Sequence, residues 1–204
     1  MSLRSLIREN IFLIMEEKAN TPDEAVFSNL NKHMSYSDSL LEWMKYEEGK
    51  LDSLGKGTGE PHLKSYDDGK GNLTIGYGRN QNYQTIQTTT KEKSIEYLKS
   101  DLEKAAESIK SSSNDPNSSF LTIAKKLTQN QFDALTSIVF NAGPAGYSRT
   151  DLHKNFISKK NALWSGKQFE DAFLSAATSS GFGGIDTRRI RELDIFKNGS
   201  YNKK

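Results

Sequence analysis

The sequence predicts an α+β fold, with a small antiparallel sheet lobe placed early and a larger helical lobe after it. Three observations carry that prediction. Glycines crowd the stretch from 49 to 78, with only short apolar pieces such as Leu73-Thr-Ile75 between them. Apolar residues recur at helical spacing on both sides of that stretch. The 204 residues contain no internal repeat and exceed one domain of about 150 residues only modestly.

Taken in order, Leu6, Ile7, Ile11, Ile14 and Met15 outline a first helix. Thr21-Pro-Asp-Glu24 then supplies a cap, a proline at the first helical position and a capping-box acid for a second. Residues 1–37 therefore separate as a helical extension from a body at 38–204. Ser37-Asp38 opens a helix with Leu40, Leu41, Met44 and Trp43 on its buried stripe, ending at Gly49. Short strands and tight turns follow to Asn80. Thr89-Thr-Lys-Glu92 reads as a capping box before Ile95, Leu98, Leu102, Ala105 and Ile109, a long amphipathic helix. Ser111 to Ser119 is a polar loop. Thr128-Gln-Asn-Gln131 caps the most apolar helix, which Gly143-Pro144 stops. A helix from Ser165 to Ala177, a Gly/Ser turn and a basic helix from Thr187 towards Phe196 complete the chain.

Composition narrows the function classes. Lys+Arg 28 against Asp+Glu 26 leaves a net charge of +2, which argues against a dedicated nucleic-acid binder. Cysteine is absent and only His33, His62 and His153 are present, so no thiolate or histidine-built metal site is expected and no cofactor is implied. No apolar run approaches the roughly 18 residues of a membrane span, and Ile11 to Met15 lacks the length and cleavage site of a signal peptide. Residues 142–204 hold 11 basic and 6 acidic side chains, a net +5, against −3 for the remainder. An anionic polymer held by the basic lobe would suit that split, although ordinary surface variation accounts for it equally well.

A catalytic reading must therefore rest on carboxylates, hydroxyls and amides. Glu47 and Glu48 fall at a helix C-terminus, where the dipole opposes ionisation and suits an acid that holds its proton. A turn then presents Asp68, and the next strand presents Thr74. An acid, a second carboxylate and a neighbouring hydroxyl are what an inverting glycosidase needs, for protonating the leaving oxygen, activating water and orienting that water. Tyr66 and Tyr77 fit cleft-lining and packing beneath the sheet equally well. Asp67-Asp-Gly-Lys-Gly lacks the alternating oxygens of a calcium loop, and Gly55-Lys-Gly-Thr-Gly lacks the Lys-Ser/Thr ending of a phosphate loop.

Glu48-Gly49, Tyr66-Asp67-Asp68, Gly71 and Thr74-Ile-Gly-Tyr-Gly78 closely resemble the hallmark of the phage-type lysozymes, the endolysins related to T-even phage lysozyme. Leu127 to Gly143 is similar to the family's central buried helix, and Thr187-Arg-Arg-Ile-Arg-Glu192 to its C-terminal arginine helix. The resemblance covers about residues 38 to 201. It implies a lysozyme-like fold with a cleft between the lobes and a catalytic domain at 38–204. By the same resemblance Glu48 is the general acid, Asp68 positions or activates water and Thr74 assists. Asn141 contacts the saccharide from the helical lobe, and Arg188 lies near Glu48 as its charge partner; Tyr66, in its cleft-lining reading, is a further substrate-binding candidate. The implied activity is a muramidase, cleaving the β-1,4 bond between N-acetylmuramic acid and N-acetylglucosamine of the peptidoglycan glycan strand; chitin-type substrates fall under the same resemblance.

Two departures stand out. Glu48 and Asp68 lie 20 residues apart, where the family has about nine, so Leu51 to Pro61 reads as an added loop at the cleft mouth. That loop creates an alternative acid, Glu60, at nearly the family spacing from Asp68; Glu47 is a register-shift alternative. The N-terminal extension is the second departure. It is expected to dock a phage tail, a secretion spike or an immunity protein, with the enzyme reaching the wall by holin release or injection. A non-catalytic wall-binding module retaining the fold is the competing expectation.

Overall fold

A computed structural model describes residues 31–67, 71–81, 86–110, 123–176 and 187–203. The two helices expected before residue 31, Asp68, the polar loop at 111–119 and the Gly/Ser turn before Thr187 lie outside the described residues.

Helix α1 (Asp38–Glu48) starts where Ser37 caps it, the Ser37 hydroxyl accepting from the Leu40 amide at 3.1 Å. It buries Leu40, Leu41, Trp43 and Met44. It ends at Gly49, where glycine is required for steric room rather than for a left-handed cap. Gly49 is extended, with φ −79°, and a Cβ there would sit 2.4 Å from the Lys45 carbonyl oxygen. The added segment, read from the sequence as a loop at the cleft mouth, forms a pinned hairpin. The Lys50 amide donates to Glu60 O at 2.7 Å, the Thr58 amide to Lys50 O at 2.8 Å and the Asp52 amide to Lys56 O at 2.8 Å. Asp52 accepts from the Leu54 and Lys56 amides, bonds that hold its carboxyl below the usual range. A Cβ at Gly57 would fall 2.0 Å from Tyr46 O, so the hairpin lies directly on the α1 backbone.

Strands β1 (His62–Asp67), β2 (Leu73–Gly76) and β3 (Arg79–Gln81) make one antiparallel sheet in that order. Thr74 pairs with Tyr66 on one side and Asn80 on the other, so these three share a face. Helix α2 (Lys91–Lys110) begins one residue later than the sequence pattern suggested. Thr90, not Thr89, accepts from the Lys93 amide at 3.2 Å. Arg79 ties the sheet to this helix, lying 4.5 Å over the Tyr97 ring and 3.8 Å from Asp101.

Helix α3 (Gln129–Ser148) carries the expected capping box between Thr128 and Gln131. It is the centre of the core, buried through Phe132, Leu135, Ile138 and Val139 against α2 and α5 (Thr187–Asn198). Gly143, at φ 70° and ψ 158°, breaks the helix as expected, but Pro144 then opens a second helical stretch, where its fixed φ suits a first turn. A π-helical turn, Leu152–Ile157, and α4 (Lys167–Leu174) complete the lobe. Phe169, Phe173 and Phe196 stack edge-on and tilted at 5.4–5.9 Å. No helix among the described residues is long and apolar enough to cross a membrane.

The first described residues are part of this packing. Asn31 is buried, donating to Lys125 O and accepting from the Leu127 amide. The fully buried carboxylate of Asp133 accepts from the Ser37 amide and hydroxyl, from Gln129 and from Tyr201. That one side chain fastens the start of α1 and the C-terminal tail to α3.

Candidate active site

Three elements converge where α1 ends. Glu48, its last residue, projects a carboxylate that is 18% exposed, and Arg188 at the start of α5 donates to it at 2.6 Å. The turn between β2 and β3 closes from the other side. Gly78 has φ 86°, and a Cβ there would approach Glu48 Oε2 to 3.3 Å. The turn can pass this close only because residue 78 carries no side chain and tolerates the left-handed conformation.

Arg188 is held in turn. Its Nε reaches Glu192 at 3.1 Å, its Nη2 lies 3.3 Å from Ser137 Oγ, and the guanidinium stands 6.0 Å over the Trp43 ring. Burial weighs against its charge, but the carboxylates of Glu48, Glu192 and Glu47 and the hydrogen bond to Glu48 outweigh that penalty, so its pKa is raised. Arg188 is therefore a fixed cation. Glu192 has no exposed surface, and burial pushes its carboxyl up despite Arg189, Arg188 and Ser137. Arg189, equally buried, meets Glu192 at 2.6 Å and donates to Asn141 Oδ1 at 3.1 Å. A second, parallel tie joins α1 to α5, because Arg191 grips both oxygens of Glu47.

Of the site residues expected from the sequence, the structure brings Glu48 and Arg188 into direct contact and links Asn141 to the same cluster through Arg189. Thr74 is buried in the middle of β2, on the strand that leads into the Gly78 turn. Tyr66 faces the same side of the sheet as Thr74 and stacks on His62, ring centroids 4.2 Å apart. Asp68 lies outside the described residues, one position beyond the end of β1. Glu60, at the foot of the hairpin, has its backbone beside Gly49, but its side chain is 55% exposed and paired with Lys91 at 2.7 Å.

Sequence reasoning missed Ser137, Arg189 and the Glu47–Arg191 tie. A signal was present, since Arg188 and Arg189 precede Glu192 by four and three residues, the helical spacings for ion pairs. What the spacing could not show is that the cluster is buried. Next to it a groove of about 540 Å³ runs between the Gly78–Asn80 turn, Asp101 and Lys104 of α2, and Phe140, Gly143 and Pro144 at the α3 kink. Gly78 belongs both to this groove and to the Glu48 contact.

Comparison with known proteins places the chain in a family. Residues 58–192 match the phage lysozyme family model, a span that includes Thr74, Asn141, Arg188 and Glu60 and begins ten residues after Glu48. The endolysin of Salmonella phage P22 is 34% identical over 146 residues, 69% of this chain and 82% of that protein. The endolysin of Escherichia coli O157:H7 phage FAHEc1 superposes with a TM-score of 0.60 at 26% identity, covering 84% of this chain and 98% of that one. A P22 lysozyme mutant gives 0.54 at 28%, covering 80% and 98%. With a family match over most of its length, relatives on both measures and a small sheet closing on a helical lobe, the chain belongs to the phage lysozyme family and is a glycoside hydrolase of lysozyme type.

Proposed function

We propose that the protein hydrolyses the β-1,4 bond between N-acetylmuramic acid and N-acetylglucosamine in peptidoglycan, with Glu48 as general acid. The observation that carries the reading is the position of Glu48 at the end of α1, held by Arg188 and facing the glycine turn that borders the groove. A carboxyl fixed there can deliver its proton to the leaving glycosidic oxygen from one direction, while the buried guanidinium stabilises the carboxylate that remains. Asp68 activates a water on the opposite face of the sugar, and the Thr74 hydroxyl orients that water, which gives inversion of configuration. Tyr66 and Asn141 hold the saccharide on the two lobes. Arg188 aims Glu48 and does not itself meet the sugar.

The exposed, Lys91-paired position of Glu60 favours Glu48 over it. The site of action is the bacterial cell wall, and residues 1–37 supply the docking element for a tail, spike or immunity partner.

The test is product analysis on purified glycan strands. The expected result is new muramic acid reducing ends that appear first as the α-anomer by NMR, with chitin oligosaccharides left intact. A β-anomer would point to retention, and new glucosamine reducing ends would place the cut at the other bond.

A further inference from the structure

Arg189 has no obvious part in the chemistry, yet it is among the largest fully buried side chains of the molecule. Its contacts include two that bear on the site. Nη1 meets Glu192 at 2.6 Å, and Nη2 donates to Asn141 Oδ1 at 3.1 Å. Glu192 is itself pinned by Ser137 and Arg188, so the guanidinium is locked in place. Asn141, by contrast, is exposed at the α3 kink; it does not itself line the groove, but its neighbours in the chain, Val139, Phe140, Gly143 and Pro144, do. Ser137 and Asn141 are one helical turn apart on α3, so the face that binds the Glu48–Arg188 cluster at Ser137 reaches solvent at Asn141.

An arginine has donors only, whereas an amide has one accepting oxygen and one donating nitrogen. The oxygen of Asn141 must therefore turn inward to Arg189, which leaves the amide nitrogen pointing out. We propose that Arg189 is a positioning residue for substrate selection: it turns Asn141 into an obligate hydrogen-bond donor toward the groove, matched to an acceptor oxygen such as the acetamido carbonyl of the glycan. This rests on the reading of the groove as the glycan site. A buried cation thereby chooses which half of an exposed amide the substrate meets. An asparagine without this partner would sample both orientations, and half of them would present an oxygen to the sugar's carbonyl.

The experiment is a double-mutant cycle on solubilised glycan strands, with kcat and KM measured separately and the folded fraction fixed by thermal melts. Arg189→Lys keeps the charge beside Glu192 and loses the fork that reaches Asn141. Asn141→Ala removes the donor. Each is expected to raise KM about five- to tenfold, the size of one neutral hydrogen bond, with kcat little changed. In the Asn141→Ala background, Arg189→Lys is expected to add nothing. Asn141→Asp needs no change at Arg189 and serves if Arg189→Lys fails to fold. Its second oxygen replaces the outward donor, and KM should rise at least as far as with alanine. Equal effects of Arg189→Lys in both backgrounds, or an Asn141→Asp enzyme with the parent KM, would overturn the proposal. A parent protein that cleaves no glycan overturns the underlying functional reading instead.

Discussion

Single side chains in this protein are informative mainly where a polar group has been buried. His153 sits in the π-helical turn, 8% exposed, against the fully buried Tyr147 at a ring separation of 5.1 Å. Burial lowers its pKa from 6.5 to about 4. The folded state thus prefers the neutral ring, and between those two values the unfolded chain binds the extra proton. The stabilisation from His153 is complete above about pH 6.5 and drains away as the pH falls toward 4. On the free-energy scale of a pKa shift, about 2–3 kcal/mol should be lost between pH 7 and pH 4.5. Urea unfolding at the two pH values checks this, with His153→Gln as control. The variant should lose clearly less over the same interval, and an equal loss would assign the acid sensitivity to other groups. Arg188, Arg189 and Glu192 make the same point in the site. Their residue types and spacing are visible in Thr187 to Glu192, but no property of the sequence distinguishes a solvated basic helix from one that has turned its arginines into the core.

At the scale of elements, the sequence is most readable where a local rule decides the outcome. Thr128 and Gln131 form their capping box, and Ser37 caps α1, because each needs only its own next turn. Legibility fails where a distant neighbour decides. α1 ends at Gly49 as expected, but what requires glycine there is distant: Lys45 O and Glu60 O leave no room for a Cβ, and the stretch read as a loop at the cleft mouth is a hairpin whose Gly57 lies on the Tyr46 backbone. The π-helical turn at Leu152–Ile157 gave no sequence signal at all. Gly78 joins both categories: a turn glycine by pattern, and in the structure the point where the sheet touches Glu48. Gly78→Ala should cost about 1–2 kcal/mol of stability from the left-handed backbone alone. It should also depress the lytic rate by more than the folded fraction explains, because the new methyl presses on Oε2. Thermal melts and turbidity assays on the same samples separate the two effects. Loss of stability with an unchanged specific rate would remove Gly78 from the site.

For the molecule as a whole, the division of charge into −3 and +5 has to be read differently once the pairs are known. Three of the basic residues after position 142, Arg188, Arg189 and Arg191, engage Glu48, Glu192 and Glu47 inside the fold. Two of them, Arg188 and Arg191, therefore tie α5 to α1 instead of facing an anionic polymer, while Arg189 pairs within α5. The same interlock joins α1, which begins at Ser37 on Asp133 and finishes on Arg188 and Arg191, to both α3 and α5. It explains how an acid delivered by an early helix is aimed by a late one. The fold class was legible from pattern and spacing and the pairing of Glu48 with Arg188 only from the family resemblance, whereas the aiming depends on contacts 140 or more residues apart.

That aiming makes one measurement decisive. Purified parent, Glu48→Gln and Glu60→Gln proteins, each shown to be folded by thermal melting, are compared for clearance of a cell-wall suspension. Glu48→Gln is expected to lose at least a hundredfold in rate, in line with the removal of a general acid, while Glu60→Gln stays within about twofold of the parent. Full activity in Glu48→Gln, or collapse in Glu60→Gln alone, would contradict the assignment of the acid to the end of α1.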